Sequence, residues 1–220
     1  MLPRGRGRAT DEEARETRRA IVEAGRRLFM EYGYRAVSTR RIAEICGLTQ
    51  PALYHHFGNK REIYLEVLRT ELLDTRAGLE RITQRRESLH ARLVLVARYV
   101  LSRQPPNTNQ MFSDIEHELD DEQRRLVGEW FFASYVLPIT SIFSDGLERG
   151  ELRSPQHGGV DPVTATFLLL QLLRDEGGNN RQDNDLVPRR SQAQHADLVV
   201  NVLLYGLATA ASGEGGARAP

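Results

Sequence analysis

Thr49, Gln50, Pro51 and Ala52 follow directly on a Gly47-Leu48 pair and open a short helical segment. A glutamine amide pairs bidentately with adenine, and an alanine methyl fits against the methyl group of thymine. Proline is tolerated in a first helical turn. Tyr54 and His55 carry donors suited to the sugar–phosphate backbone beside a groove. Thr39 and Arg40 open an earlier short segment, where a helix N-terminus adds partial positive charge for a phosphate. The chemistry on offer is recognition of a duplex.

Other chemistries find less support. His55 and His56 are neighbours, and adjacent helical residues do not share a face. A shared metal is therefore disfavoured, and His56 reads as packed and hydrogen-bonded within its domain. His117-Glu118-Leu119-Asp120-Asp121 begins like a zinc-protease helix, but Asp121 stands where the second histidine is needed. The chain has no P-loop, no GxGxxG and no nucleophile elbow. The expectation is a non-enzyme with no cofactor and no metal. The rival is an all-helical enzyme or metal-binding protein with an incidental turn of this kind.

Two short helices must position these residues. Thr39–Cys46 places Ile42, Ala43 and Cys46 on one side, and Thr49–Phe57 places Leu53 and Phe57. Gly47 between them suits a turn of positive φ. Ala43, four residues earlier, is small where the helices cross, and Leu53, six later, packs one on the other. Together these features predict a helix-turn-helix. Helix 1 is predicted from a Thr10/Glu13 capping box to Gly33, with Ile21, Ala24, Leu28 and Phe29 on its inner face. Asn59 and Glu62 are predicted to cap a further helix with Ile63, Val67, Leu68 and Leu72 inward.

The stretch from Ser38 to Leu68 resembles the DNA-binding domain of the TetR family of regulators. The resemblance rests on Gly33-Tyr34, Ser38-Thr39, Ile42-Ala43, Gly47-Leu48-Thr49, Leu53-Tyr54-His55-His56-Phe57 and Asn59-Lys60. It is dense over residues 17–68. Cys46 replaces a frequent alanine, and Gln50-Pro51 departs from the usual residues early in the third helix. Such positions vary with operator sequence. The resemblance implies that Lys60 grips a phosphate. It also implies a ligand-responsive regulator, a repressor released from a palindromic operator by a small apolar or aromatic effector. An activator, or a binder without ligand, remains open.

Charge is distributed to match. The 220 residues carry 30 Lys and Arg against 30 Asp and Glu. Residues 1–60 hold 12 basic and 7 acidic side chains, which leaves the remainder acidic. One basic end is therefore expected to meet phosphate. Arg4, Arg6 and Arg8 form a glycine-spaced arm of the kind that enters a minor groove. One cysteine allows no internal disulfide. The apolar runs near Phe167–Leu170 and Leu198–Leu204 are too short to span a bilayer. A cytoplasmic protein with no membrane partner is expected.

The fold class is all-α, with an N-terminal three-helix helix-turn-helix domain, a C-terminal helical bundle and about nine helices in total. The expected organisation is a basic arm at 1–9, a DNA-binding domain at 10–58, a ligand-sensing and dimerisation domain at 59–211 and a tail at 212–220. Helices are predicted over 88–102, 109–119, 120–149 with a kink at Pro138, 161–175 and 195–211, with a loop over 177–194. The helices near 162–175 and 195–211 are apolar nearly all round, so they are the candidate homodimer interface. In the family the last two helices pair as a four-helix bundle. Phe112, Trp130 and Tyr135 belong to an aromatic cluster around Pro138 and are the candidate pocket residues, although core is the plainer reading for each.

Overall fold

The computed structural model describes residues 6–105, 108–174 and 190–206, with side chains from residue 11 onward. Arg4, the break at Pro106-Asn107, residues 177–189 of the expected loop, the last helix beyond 206 and the tail lie outside the described residues.

Ten α-helices and no strand are found among the described residues. They are α1 (Arg6–Ala36), α2 (Thr39–Ile45), α3 (Gln50–His56), α4 (Lys60–Thr83), α5 (Leu89–Arg103), α6 (Thr108–Glu118), α7 (Asp121–Phe131), α8 (Leu137–Glu148), α9 (Pro162–Leu173) and α10 (Gln192–Tyr205). Helices α7 and α8 run together as one 28-residue rod. Counted that way the described chain has nine helical rods, the number expected.

Starts are set by side-chain caps. Ser38, Thr49, Asn59, Ser88 and Asp161 each accept a hydrogen bond from the backbone N–H three residues on. Asp120 with Gln123 forms a full capping box at α7. Two starts differ from the sequence reading. Helix α1 begins at Arg6 and runs through Thr10, so residues 6–9 are helical rather than an arm. Arg6, Arg8 and Ala9 favour helix upstream of Thr10, while Gly7 does not. Helix α10 begins at Gln192, inside the stretch expected to be loop, because Ser191 and Gln194 form a second capping box.

A kink is expected at Pro138; what the structure shows there is a π turn. Phe132–Val136 is wound as a π-helix, and the Leu137 N–H donates to the Phe132 carbonyl. The widened turn falls where the proline ring would otherwise meet the Ser134 carbonyl.

Two cores form. The first joins Ile21, Leu28 and Phe29 of α1 to Ile42, Leu53 and Phe57, to Ile63, Tyr64, Val67 and Leu68 of α4, and to Leu119 and Val127. The second joins Leu79 to Leu93, Val96, Ile139, Ile142, Phe143, Leu169, Leu173, Val199 and Val200. Helix α4 therefore serves both, its first half in one and its second half in the other. The α7–α8 rod is long and apolar enough to cross a membrane by length and composition alone. Here it buries Val127 in the first core and Ile139, Ile142 and Phe143 in the second.

Candidate nucleic-acid interface

The turn between α2 and α3 is closed by backbone bonds. Gly47 N–H donates to the Glu44 carbonyl at 3.2 Å and Leu48 N–H to the Ala43 carbonyl at 2.9 Å. Gly47 takes φ +66°, and a Cβ there would meet nothing within 4 Å. The position needs glycine for its backbone, not for space.

Helix α3 is held from behind and open in front. Leu53 and Phe57 are fully buried. Arg18 of α1 donates to the His56 carbonyl at 2.8 Å and lies 3.9 Å from the Phe57 ring centroid. The side chain thus pins the C-terminal end of α3 across 38 residues of sequence. On the outer side Thr49, Gln50, Pro51, Tyr54 and His55 are exposed and Ala52 is half-buried.

Thr39 sits in the first turn of α2, but its side chain turns inward. It is 7% exposed. Gln50 Nε2 donates to Thr39 Oγ1 at 3.0 Å, and Thr39 Oγ1 lies 3.0 Å from the Tyr54 hydroxyl. The hydroxyl therefore joins two α3 residues instead of standing free for a phosphate. Arg40 beside it is exposed, and its Nε donates to Glu44 at 2.9 Å.

Lys60 opens α4, with its Nζ 4.1 Å from the Tyr34 ring centroid. Partial burial pulls its pKa down, while Glu118 and Asp114 of α6 oppose that shift. Tyr34 packs against Phe29 and Tyr64 at ring distances of 5.8 Å and 5.1 Å. Its backbone N–H donates to Asp114 Oδ2 at 2.7 Å. Asp114 is 2% exposed and also accepts from Gln110 at 2.8 Å. Arg35 Nε pairs with Glu118 at 2.5 Å. Helix α6 is thereby fastened to the end of α1 at three adjacent residues, Gly33 to Arg35, with Gly33 at φ +79° against Gln110. Neither Arg18 nor Asp114 was picked out in the sequence. Glu118 was noticed only inside a broken zinc motif, and His117 Nδ1 instead bonds the Ser113 carbonyl at 2.8 Å.

The three candidate pocket residues pack on different surfaces. Phe112 is exposed, with the Arg174 guanidinium 4.6 Å from its ring. Trp130 packs on the first core. Tyr135 packs on the second and stacks on Phe131 at 4.9 Å. Burial raises the Tyr135 pKa, against its hydrogen bond to Thr75 and the nearby Arg103.

On α9, Ala165, Thr166, Leu169 and Leu173 face inward, while Val163, Phe167, Leu168 and Leu172 are exposed. On α10, Ala196, Val199 and Val200 are buried, and Leu198 and Tyr205 are exposed. Cys46 packs against the first core, and its Sγ lies 3.5 Å from the Ala20 carbonyl. Burial raises its pKa. No group of three metal-ligating side chains occurs among the described residues.

Comparison with known proteins agrees with this geometry. Residues 21–67 match the model for bacterial regulatory proteins of the tetR family. The HTH-type transcriptional regulator TtgR of Pseudomonas putida is 40% identical over 77 residues, covering 35% of this chain and 36% of TtgR. The HTH-type transcriptional repressor AcnR of Corynebacterium efficiens is 36% identical over 63 residues, 29% of this chain and 34% of AcnR. The chain thus spans about a third of the length of these curated relatives. The crystal structure of the TetR-family transcriptional regulator PfmR from Thermus thermophilus superposes over 86% of this chain and 99% of its own, with a TM-score of 0.62 and 27% identity. Residues 21–67 thus form a helix-turn-helix domain of the tetR family of bacterial regulatory proteins, and over 86% of its length the chain shares the all-helical fold of the TetR-family regulator PfmR.

Proposed function

We propose that the chain is a transcriptional regulator that binds a palindromic operator as a homodimer and is released by a small-molecule effector. The observation that carries this reading is the exposed face of α3. Gln50, Tyr54 and His55 stand outward while Leu53 and Phe57 fix the helix from behind. Thr49, Gln50, Pro51 and Ala52 enter the major groove. Tyr54, His55, Arg40 and the α2 N-terminus at Thr39 meet the backbone. Lys60 supplies a further cation at the start of α4.

Two heads must lie one helical turn apart, about 34–36 Å, to read two half-sites. The apolar stripe Val163, Phe167, Leu168 and Leu172 with Leu198 of α10 supports α9 and α10 as the surface that pairs two copies. The effector is apolar or aromatic and enters the helical body beside the π turn at Tyr135. Such turns occur often at functional sites.

The test is titration of a labelled palindromic duplex, selected by the protein from a random pool, at several salt concentrations. Two copies per duplex and a steep fall of affinity with salt are expected. The Gln50→Ala, Lys60→Ala double variant is expected to lose the specific complex. Turnover of a metabolite by protein that ignores every duplex would instead favour the enzyme reading.

A further inference from the structure

We propose that Thr39 is a positioning residue for base reading, holding the Gln50 amide in the orientation that selects adenine. The inference rests on the reading of α3 as the groove-facing helix. Gln50 stands at the exposed first turn of α3, where a glutamine side chain would ordinarily sample many rotamers. Here its Nε2 is tied at 3.0 Å to Thr39 Oγ1, an atom anchored on a different helix. Thr39 is itself fixed, because its hydroxyl also meets the Tyr54 hydroxyl at 3.0 Å and its side chain is buried.

The donor and acceptor inventory makes this arrangement selective. A threonine hydroxyl has one O–H and two lone pairs. One lone pair accepts from Gln50. The O–H and the second lone pair remain for Tyr54, so the pair is satisfied whichever hydroxyl donates. On the Gln50 side one amide N–H is used. With the N–H trans to Oε1 bound to Thr39, the N–H cis to Oε1 and the carbonyl itself are left, an adjacent donor and acceptor. That is the complement of adenine in the major groove, whose N7 accepts and whose N6 amino group donates. Guanine presents two acceptors there, so it leaves Oε1 without a donor. Ordering the amide before DNA arrives removes part of the entropy cost of binding. Tyr54 gains a consequence as well, since a phosphate drawing on its hydroxyl acts on the atom that steadies Gln50.

Two measurements test the proposal on the full-length protein. The first is the side-chain amide order parameter of Gln50 in the free protein. A value near that of rigid backbone, about 0.85, is expected, and a value below about 0.6 would overturn the proposal. The second compares affinities for the wild-type-selected duplex with each base pair substituted in turn. Wild type is expected to prefer A·T at one step of each half-site by roughly tenfold or more. Thr39→Val removes the hydroxyl and keeps the shape, and should cut that preference to about threefold or less, on the same scale. Thr39→Ser should retain it. A role limited to packing would lower affinity for every duplex alike and leave the ratio untouched, and that outcome rejects the proposal. If Gln50→Ala abolishes the preference while Thr39→Val keeps it, base reading by Gln50 stands and positioning by Thr39 fails. If Gln50→Ala changes nothing, Gln50 does not read the base, and the proposal fails with that reading.

Discussion

Lys60 shows how one side chain carries two opposing pH effects. Its burial against Tyr34 holds its pKa below the ordinary 10.5. In the unfolded chain the amine keeps its proton up to that ordinary value. Between the lowered folded value and 10.5 the unfolded state therefore binds more protons, and stability rises with pH through this window. DNA affinity moves the other way, because the folded amine loses its charge as pH rises through the folded value. A pH series of duplex affinity is expected to fall in that window for wild type and to stay flat for Lys60→Arg, which keeps its charge. Lys60→Ala should lower the salt slope by about 1 per half-site, a change read from binding at several salt concentrations. At this scale the sequence was informative where spacing alone decides chemistry. Gln50, Tyr54 and His55 lie outward because Leu53 and Phe57 must lie inward. Thr39 was legible as a first-turn residue, but its inward hydroxyl was not, since its partners lie 11 and 15 residues away on another helix.

One of the contacts that hold α6 to the end of α1 is a buried carboxylate, Asp114, so its share in the docking is open to a direct test. Asp114→Ala leaves the buried Tyr34 N–H without an acceptor, a loss of about 1–3 kcal/mol. Asp114→Asn keeps an acceptor and should lose less. Urea unfolding of the two variants measures the difference. Equal stability of Asp114→Ala and wild type would show that this bond does not hold α6. The same joint lies beside Lys60, since Tyr34 touches both. Tyr34 therefore links α6 to the start of α4. Most elements could be read in advance, because caps are local: Asn59 with Glu62, Asp120 with Gln123 and Asp161 all act within one turn. The π turn was legible only as a distortion at Pro138. Whether a helix answers a proline by kinking or by widening depends on what its two faces pack against. The Asp114–Tyr34 bond spans 80 residues and leaves no periodic trace.

The whole molecule is organised by α4, which passes from the first core into the second. The α7–α8 rod also enters both cores, so under the proposed function a change in the helical body would reach the reading head through these two continuous elements, as a population shift between two geometries. That mechanism needs two heads on one scaffold. Phe167→Glu places a charge in the exposed stripe of α9, and the variant is expected to sediment as a monomer and to lose the palindromic complex. Unchanged dimer mass would remove α9 from the interface. The apolar character of α9 announced a buried surface, and the structure separates the inward face that carries Leu169 and Leu173 from the exposed face that carries Phe167, Leu168 and Leu172. The scattered pocket aromatics show the limit of composition, since Phe112, Trp130 and Tyr135 stand close in pattern yet pack on different surfaces. The most direct measurement is selection of bound DNA from a random duplex pool. An inverted repeat with half-sites about one helical turn, roughly 10 base pairs, apart is the expected result. Enrichment of no sequence, or of a single unrepeated site bound by one copy, would contradict it.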